Sequence, residues 1–272
     1  STEPGWDSFR YPIINDAGKP AWPEKFPPEE IARIRDQDFA NAPVEFARMY
    51  LCDARDDRDA RFRQEWLDVA LKAGAGRSLL RQLTFFLPDT AVFTGVDLAV
   101  KARPGADRRA ARTVFFTLLL DLKTGVKELI GLESGHWAGP ETVRKLADHQ
   151  QRYHSTVFVE TNAAQIFLVQ MIPEMGYHFP VNSFQTQKNK NDPIYGVESL
   201  AGEMAAGKWI IPCGDGTVAS CCPEVRRFVD DMLYYTPGTH TGDTLMAAWI
   251  AREGSRIRKS RAVVGRHNLL SR

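Results

Sequence analysis

Three acidic residues stand where the surrounding sequence makes an acid costly. Asp97 lies inside the apolar run VFTGVDLAV, and Glu160 closes the run STVFVE. Asp243 opens the stretch DTLMAAWIAREG, in which Met246, Ala247, Ile250 and Ala251 recur at helical spacing on the side that carries the acid. A carboxylate taken out of water needs a partner. Three carboxylates brought together repel one another, and divalent cations are what make such a cluster stable at neutral pH. An all-oxygen ligand set favours hard ions, Mg2+ or Mn2+, over zinc. Two such ions about 4 Å apart activate water and stabilise the leaving 3' oxygen in phosphodiester hydrolysis. Each acid also has a duller explanation: Asp97 as a strand-end turn former, Glu160 as a cap for the turn at Thr161 and Asn162, Asp243 as a helix N-cap. Asp121 and Glu133, read as solvated acids near turns, and Asp107, in the loop PGADRR, are weaker candidates.

The elements that must position these acids follow from periodicity. Residues 1–88 are rich in Pro, Trp and charge, with helical stretches from Pro28 (PEEIARIRDQDFA), from Pro43 to Leu51, and from Arg61 to Ala70; they read as an irregular helical lead-in. At Thr90 the pattern changes to period-2 apolar runs, TAVFTGVDLAV, RTVFFTLLLDL and VKELIGLES, the last two separated by a KTG short enough for a hairpin. Gly139-Pro140 opens a helix, with Pro at a position where its missing N–H costs nothing, and Val143, Leu146 and Ala147 fall on one face. A strand STVFVE, a helix over about 163–175, a short strand-like piece around YHFPVNSFQTQ, a helix through GVESLAGEMAAG, a brief extended WIIPCG and a terminal helix complete the chain. The expectation is an α/β domain at 89–254 with a mixed sheet of about five core strands, the first three antiparallel, flanked by helices, and a basic tail at 255–272. On that layout the three acids meet at one sheet edge.

The motifs VFTGVDLAV, VFVETNAAQIFLVQ and YYTPGTHTGDTLMAAWIA carry a resemblance that spans most of the chain. They are similar to those of the C-terminal nuclease domain of tailed-phage large terminases, ribonuclease H-like enzymes that package genomic DNA. The stretch TQKNKNDPIYGVESLAGEMAAGKWIIP and the lead-in segments AWPEKFPPEEIARIR, FARMYLCD and FRQEWL resemble further parts of the same proteins. The resemblance implies a ribonuclease H-like fold and a metal-dependent endonuclease that cuts concatemeric DNA with little sequence preference. It implies Asp97 bridging two Mg2+ or Mn2+ ions, Glu160 binding one and Asp243 the other. His240 would position the scissile phosphate or help to ligate, and Lys190 would contact phosphate. Arg108, Arg109 and Arg112 would extend the track for double-stranded DNA, which is held through phosphates rather than base edges. The implied partners are a terminase ATPase domain, a small terminase subunit and a portal protein, in the cytoplasm of a host cell. One departure stands out: relatives often carry a second acid just before the third metal acid, and this chain has Gly242. No G-x-x-x-x-G-K-[ST] phosphate loop occurs in the chain, so the expectation is a fragment without the ATPase motor. The alternatives are a docking module of the motor that does not cut, and a nuclease related to resolvases or transposases.

Composition narrows the classes without choosing among them. With 272 residues, 43% hydrophobic and 25% charged, the chain has the makeup of a soluble globular protein rather than a disordered one. No apolar run approaches the roughly 18 residues of a membrane span, and the first residues lack the parts of a signal peptide, so no membrane partner and a cytosolic location are expected. Four cysteines, Cys52, Cys213, Cys221 and Cys222, show no zinc-type pairing and read as reduced thiols. The net charge of +1 is silent on nucleic acid, since a DNA enzyme needs local rather than average positive potential. From Arg252 to Arg272 there are seven Lys or Arg against one acid, either a solvated tail or a surface for phosphate or a partner.

Overall fold

From Thr90 onward the alternation of apolar residues becomes a sheet. The structure, a computed structural model, describes residues 11–15, 18–39, 43–52, 60–84, 88–99, 112–160, 163–184, 196–235 and 241–269. Strand β1 (Thr90–Asp97) pairs antiparallel with β2 (Thr113–Asp121), and β2 pairs antiparallel with β3 (Lys127–Gly135). The KTG turn between β2 and β3 is closed by Asp121, whose carboxylate accepts the N–H groups of Lys123 and Thr124, with Gly125 at φ +73 in the left-handed region. Strand β4 (Thr156–Glu160) lies parallel on the other side of β1, and β5 (Val181–Phe184) lies parallel beyond it. The sheet order is β5-β4-β1-β2-β3-β6, a meander of three with parallel strands added beside its first member. To the five core strands expected, the sheet adds a short sixth at its edge: β6 (Trp209–Ile210), in the brief WIIPCG segment, joins β3 in parallel and buries Trp209 completely.

Helices cover both faces. α4 (Gly139–Tyr153) and α5 (Ala163–Glu174) pack on one, where Val143, Leu146, Leu168 and Ile172 meet Val96, Phe115, Val157 and Val159. On this face a chain of buried hydroxyls, Ser155, Thr94 and Thr117, ends on His149 Nε2, with separations of 2.6 to 2.7 Å. The opposite face is covered by α7 (Pro223–Leu233), whose Phe228 ring stands edge-on to Phe116 at 4.8 Å, and by α8 (Asp243–Leu269). Sequence reading missed α7, although Val225, Phe228, Val229 and Met232 recur at helical spacing behind a first-turn Pro223, and all four are buried. α8 is one helix of 27 residues that runs on through the stretch expected to be a separate tail. Its first basic residue, Arg252, is fully buried, with Nη1 2.6 Å from Glu253 and Nη2 bonded to Ser199 at the start of α6 (Ser199–Ala205). The apolar stripe of α8 draws Arg252 inward, and only the residues beyond it carry the basic excess.

The chain divides into two compact units, Ser1–Ala60 with Arg103–Arg109 and Arg61–Ala102 with Ala110–Arg272. The first contains α1 (Pro28–Arg33), continued by a wider helical turn over Ile34–Asp38, and α2 (Pro43–Tyr50), with Ile13, Ile31, Ile34 and Phe46 as its core. The third lead-in helix, α3 (Gln64–Ala73), lies in the second unit: Leu67, Ala70 and Leu71 are fully buried, and the Ala70 carbonyl accepts the Ile211 N–H just past β6. Among the described residues no helix is long and apolar enough to cross a membrane.

Candidate functional site

Register alone places two of the three acids side by side. β1 and β4 run parallel with Val96 opposite Val159, so Asp97 and Glu160, each one residue further on, end adjacent strands at the same sheet end. Glu160 is in turn opposite Phe184 of β5.

The face these acids point to follows from period-2 alternation. Gly95, two residues before Asp97, lies under α8: a Cβ built there would stand 2.1 Å from the Ala247 carbonyl oxygen and 2.4 Å from the Ala251 nitrogen. Phe158, two residues before Glu160, packs against Gly254 of α8. The ring of Phe184, register partner of Glu160, meets Trp249 of α8 edge-on at 5.2 Å. Asp97 and Glu160 therefore both lie on the α8 side of the sheet.

Asp243 reaches the same edge from α8. It opens the helix one turn before Ala247, about 6 Å along the axis, while Asp97 lies two residues, about 7 Å, along β1 from Gly95. One Asp243 oxygen accepts the Arg112 N–H at 2.7 Å, just before β2 begins and two residues from Val114, the register partner of Asp97. All three acids are partly buried. Among the described residues no group of three or more His, Cys, Asp and Glu side chains is disposed to hold a metal ion as arranged. What the fold brings to a common sheet end is three carboxylates, one from each of three elements; oxygen ligands of this kind are the ones hard divalent cations take.

Of the basic candidates, Arg112 is half-buried and contributes its backbone N–H to Asp243. His240, Lys190, Arg108 and Arg109 lie outside the described residues, as does Asp107. The four cysteines are free thiols; burial, with Cys213 and Cys222 nearby, pushes the Cys221 thiol up to about 12.

A fourth carboxylate stands at this end of α8. Asp231, on the helix that sequence reading missed, accepts the Thr244 N–H at 3.1 Å and the Thr244 hydroxyl at 2.5 Å through a single oxygen. Burial raises its pKa, the Thr244 bonds oppose that, and the neighbouring Asp243 charge adds to the rise. The signal that could have found it is the amphipathic spacing of α7, which puts Asp231 next to the buried Met232 rather than in a loop.

Glu133 requires a correction. It is not a solvated acid near a turn but a strand residue among cations, 3.0 Å from Lys145 Nζ and 2.7 Å from Arg152 Nη2. Its other neighbour, His149 Nδ1 at 3.6 Å, is an electrostatic partner at that separation rather than a hydrogen-bond donor. His149 first, then Lys145 and Arg152, hold the Glu133 carboxyl at about 2 against the opposing effect of burial. The helix α4 brings the two cations and the imidazole over β3, a meeting that local sequence does not encode.

No family model and no curated protein matches the chain. Among solved structures it is similar to the large terminase nuclease from thermophilic phage G20c, at 18% identity over 69% of this chain and 97% of that chain, with a TM-score of 0.41. The same nuclease with bound magnesium gives 18% identity, 72% and 97% coverage, and a TM-score of 0.43. The large terminase from a second thermophilic bacteriophage is similar at 12% identity, over 61% of this chain and 40% of that chain, with a TM-score of 0.41. The structural neighbours of this chain are thus phage large terminases and their nuclease domains.

Proposed function

We propose that the chain is a DNA endonuclease of the large-terminase type, dependent on Mg2+ or Mn2+, which hydrolyses phosphodiester bonds in concatemeric double-stranded DNA. The observation that carries this reading is the side-by-side ending of β1 and β4 at Asp97 and Glu160, with α8 delivering Asp243 to the same edge. Asp97, Glu160 and Asp243 would hold two ions. Bound there, the ions would lower the pKa of an attacking water and offset charge building on the phosphate. The chain's own contribution would be placement: two strands and one helix bring three carboxylates to one sheet end, from which their side chains would turn to the ions. His240 would position the phosphate, and Lys190, Arg108, Arg109 and Arg112 would hold the DNA backbone without reading its bases. An ATPase motor, a small terminase subunit and a portal protein would be its partners in the host cytoplasm.

A second reading, a docking module that does not cut, is favoured by one observation: the described side chains hold no ready-made metal group, and an Asp243 oxygen is already engaged by Arg112. Plasmid cutting and calorimetric Mn2+ titration separate the two. The nuclease reading expects Mn2+-dependent cutting that chelator stops, and its loss by more than about a hundredfold in Asp97→Ala and Glu160→Ala proteins that remain folded. Full cutting by Asp97→Ala sinks the assignment, and a wild-type protein that takes up no Mn2+ leaves the docking module.

A further inference from the structure

The first turn of a helix exposes N–H groups with no partner inside the helix, and the residue before it commonly supplies one from its side chain. In α8 that residue is Gly242, whose carbonyl accepts the first intrahelical bond, from the Met246 N–H at 2.9 Å, and which has no side chain to offer. Asp243 cannot cap in its place, because its carboxylate is turned to the Arg112 N–H. The cap comes from another helix. Asp231 of α7 takes both the N–H and the hydroxyl of Thr244, a residue that is almost completely buried. The carboxylate fills the place where a side chain at 242 would stand: a Cβ built on Gly242 would lie 2.2 Å from Asp231 Cγ and 2.5 Å from either oxygen.

We infer that Asp231 is a positioning residue, which caps α8 from α7 and thereby fixes the turn that carries Asp243, and that Gly242 is glycine to admit it. This role rests on the metal-dependent reading above, since it matters to function only if Asp243 binds an ion. The geometry also explains why the position before Asp243 carries no acid of its own, for any side chain there meets the Asp231 carboxylate. The role is one of shape rather than charge. A single oxygen receives both bonds, and the amide oxygen of an asparagine reproduces it.

The test compares Asp231→Ala, Asp231→Asn and Gly242→Ala in the full chain, by amide hydrogen exchange over residues 241–246 and by calorimetric titration with Mn2+. Asp231→Ala is expected to lose protection at Thr244 and to bind Mn2+ about tenfold to a hundredfold more weakly, the usual cost of removing a group that orients a ligand. Asp231→Asn is expected to restore both. Gly242→Ala, which displaces the carboxylate while keeping it in the sequence, is expected to repeat the alanine result even if Asp231→Ala does not fold. The inference is overturned if the asparagine variant is as impaired in Mn2+ binding as the alanine one, which would make charge the requirement, or if Gly242→Ala leaves protection and affinity at wild-type values. Failure of the wild-type protein to bind Mn2+ overturns the metal reading, and the exchange data then judge the cap alone.

Discussion

At the scale of the residue, burial is tolerable wherever a partner arrives from another element. Glu133 is the plainest case, a strand carboxylate with a cation on either side and an imidazole beside it. Its pKa of about 2 lies below the ordinary 4.5, so the ionised form is favoured by folding. The stabilisation is complete above pH 4.5 and is lost as pH falls through 4.5 toward 2. Lys145 and Arg152 have side chains 34% and 39% exposed, which discounts the energy. Glu133→Gln is expected to cost about 1–2 kcal/mol at neutral pH, with the difference from wild type vanishing near pH 2. Urea unfolding curves across that range check it, and a difference that persists at the acid end removes the ionic explanation. His149 acts in the same direction: burial lowers its pKa, so the folded protein resists the proton that the unfolded chain accepts, and stability falls as pH drops below the ordinary 6.5.

At the scale of the element, the site depends on how closely α8 can approach the sheet. Gly95 and Gly254 are the points of approach, the first under the α8 backbone at Ala247 and Ala251, the second against the Phe158 ring. Backbone cannot move aside as a side-chain end can. Gly95→Ala is therefore expected to destabilise the protein by about 2–3 kcal/mol, the cost of overpacking a dense core. It should also weaken Mn2+ binding by lifting Asp243 away from Asp97. Gly254→Ala, which meets an aromatic ring, is expected to cost less. Denaturant unfolding of the two variants orders them, and equal stability in Gly95→Ala and wild type would mean that α8 does not sit on β1 as described. The sequence shows these glycines only as interruptions in a strand and a helix. Their reason lies in residues far away along the chain.

At the scale of the molecule, the division of the chain has a direct consequence. Because α3 belongs with the sheet, through the buried Leu67 and Leu71 and the Ala70 carbonyl bonded to Ile211, a chain beginning at residue 61 is expected to unfold cooperatively and to bind Mn2+ like the whole. A chain beginning at residue 89, where the strand pattern starts, exposes Trp209 and Ile211 and is expected to lose several degrees of Tm at the least. Thermal unfolding of the two truncations decides, and identical midpoints would return α3 to the lead-in. Much of this architecture was legible in the residues. Period-2 runs gave the strands, the KTG turn gave the hairpin, and apolar flanks marked Asp97, Glu160 and Asp243, because hydrophobic periodicity is a local property that each segment carries by itself. Only the tertiary structure decided that Asp97 and Glu160, expected at one sheet edge, lie on the α8 face, that Glu133 is paired and not solvated, that Arg252 is buried, and that α7 brings Asp231 to the start of α8. Which strand lies beside which, and which helix end meets which carboxylate, depends on contacts between segments far apart in the chain, and no local pattern contains them.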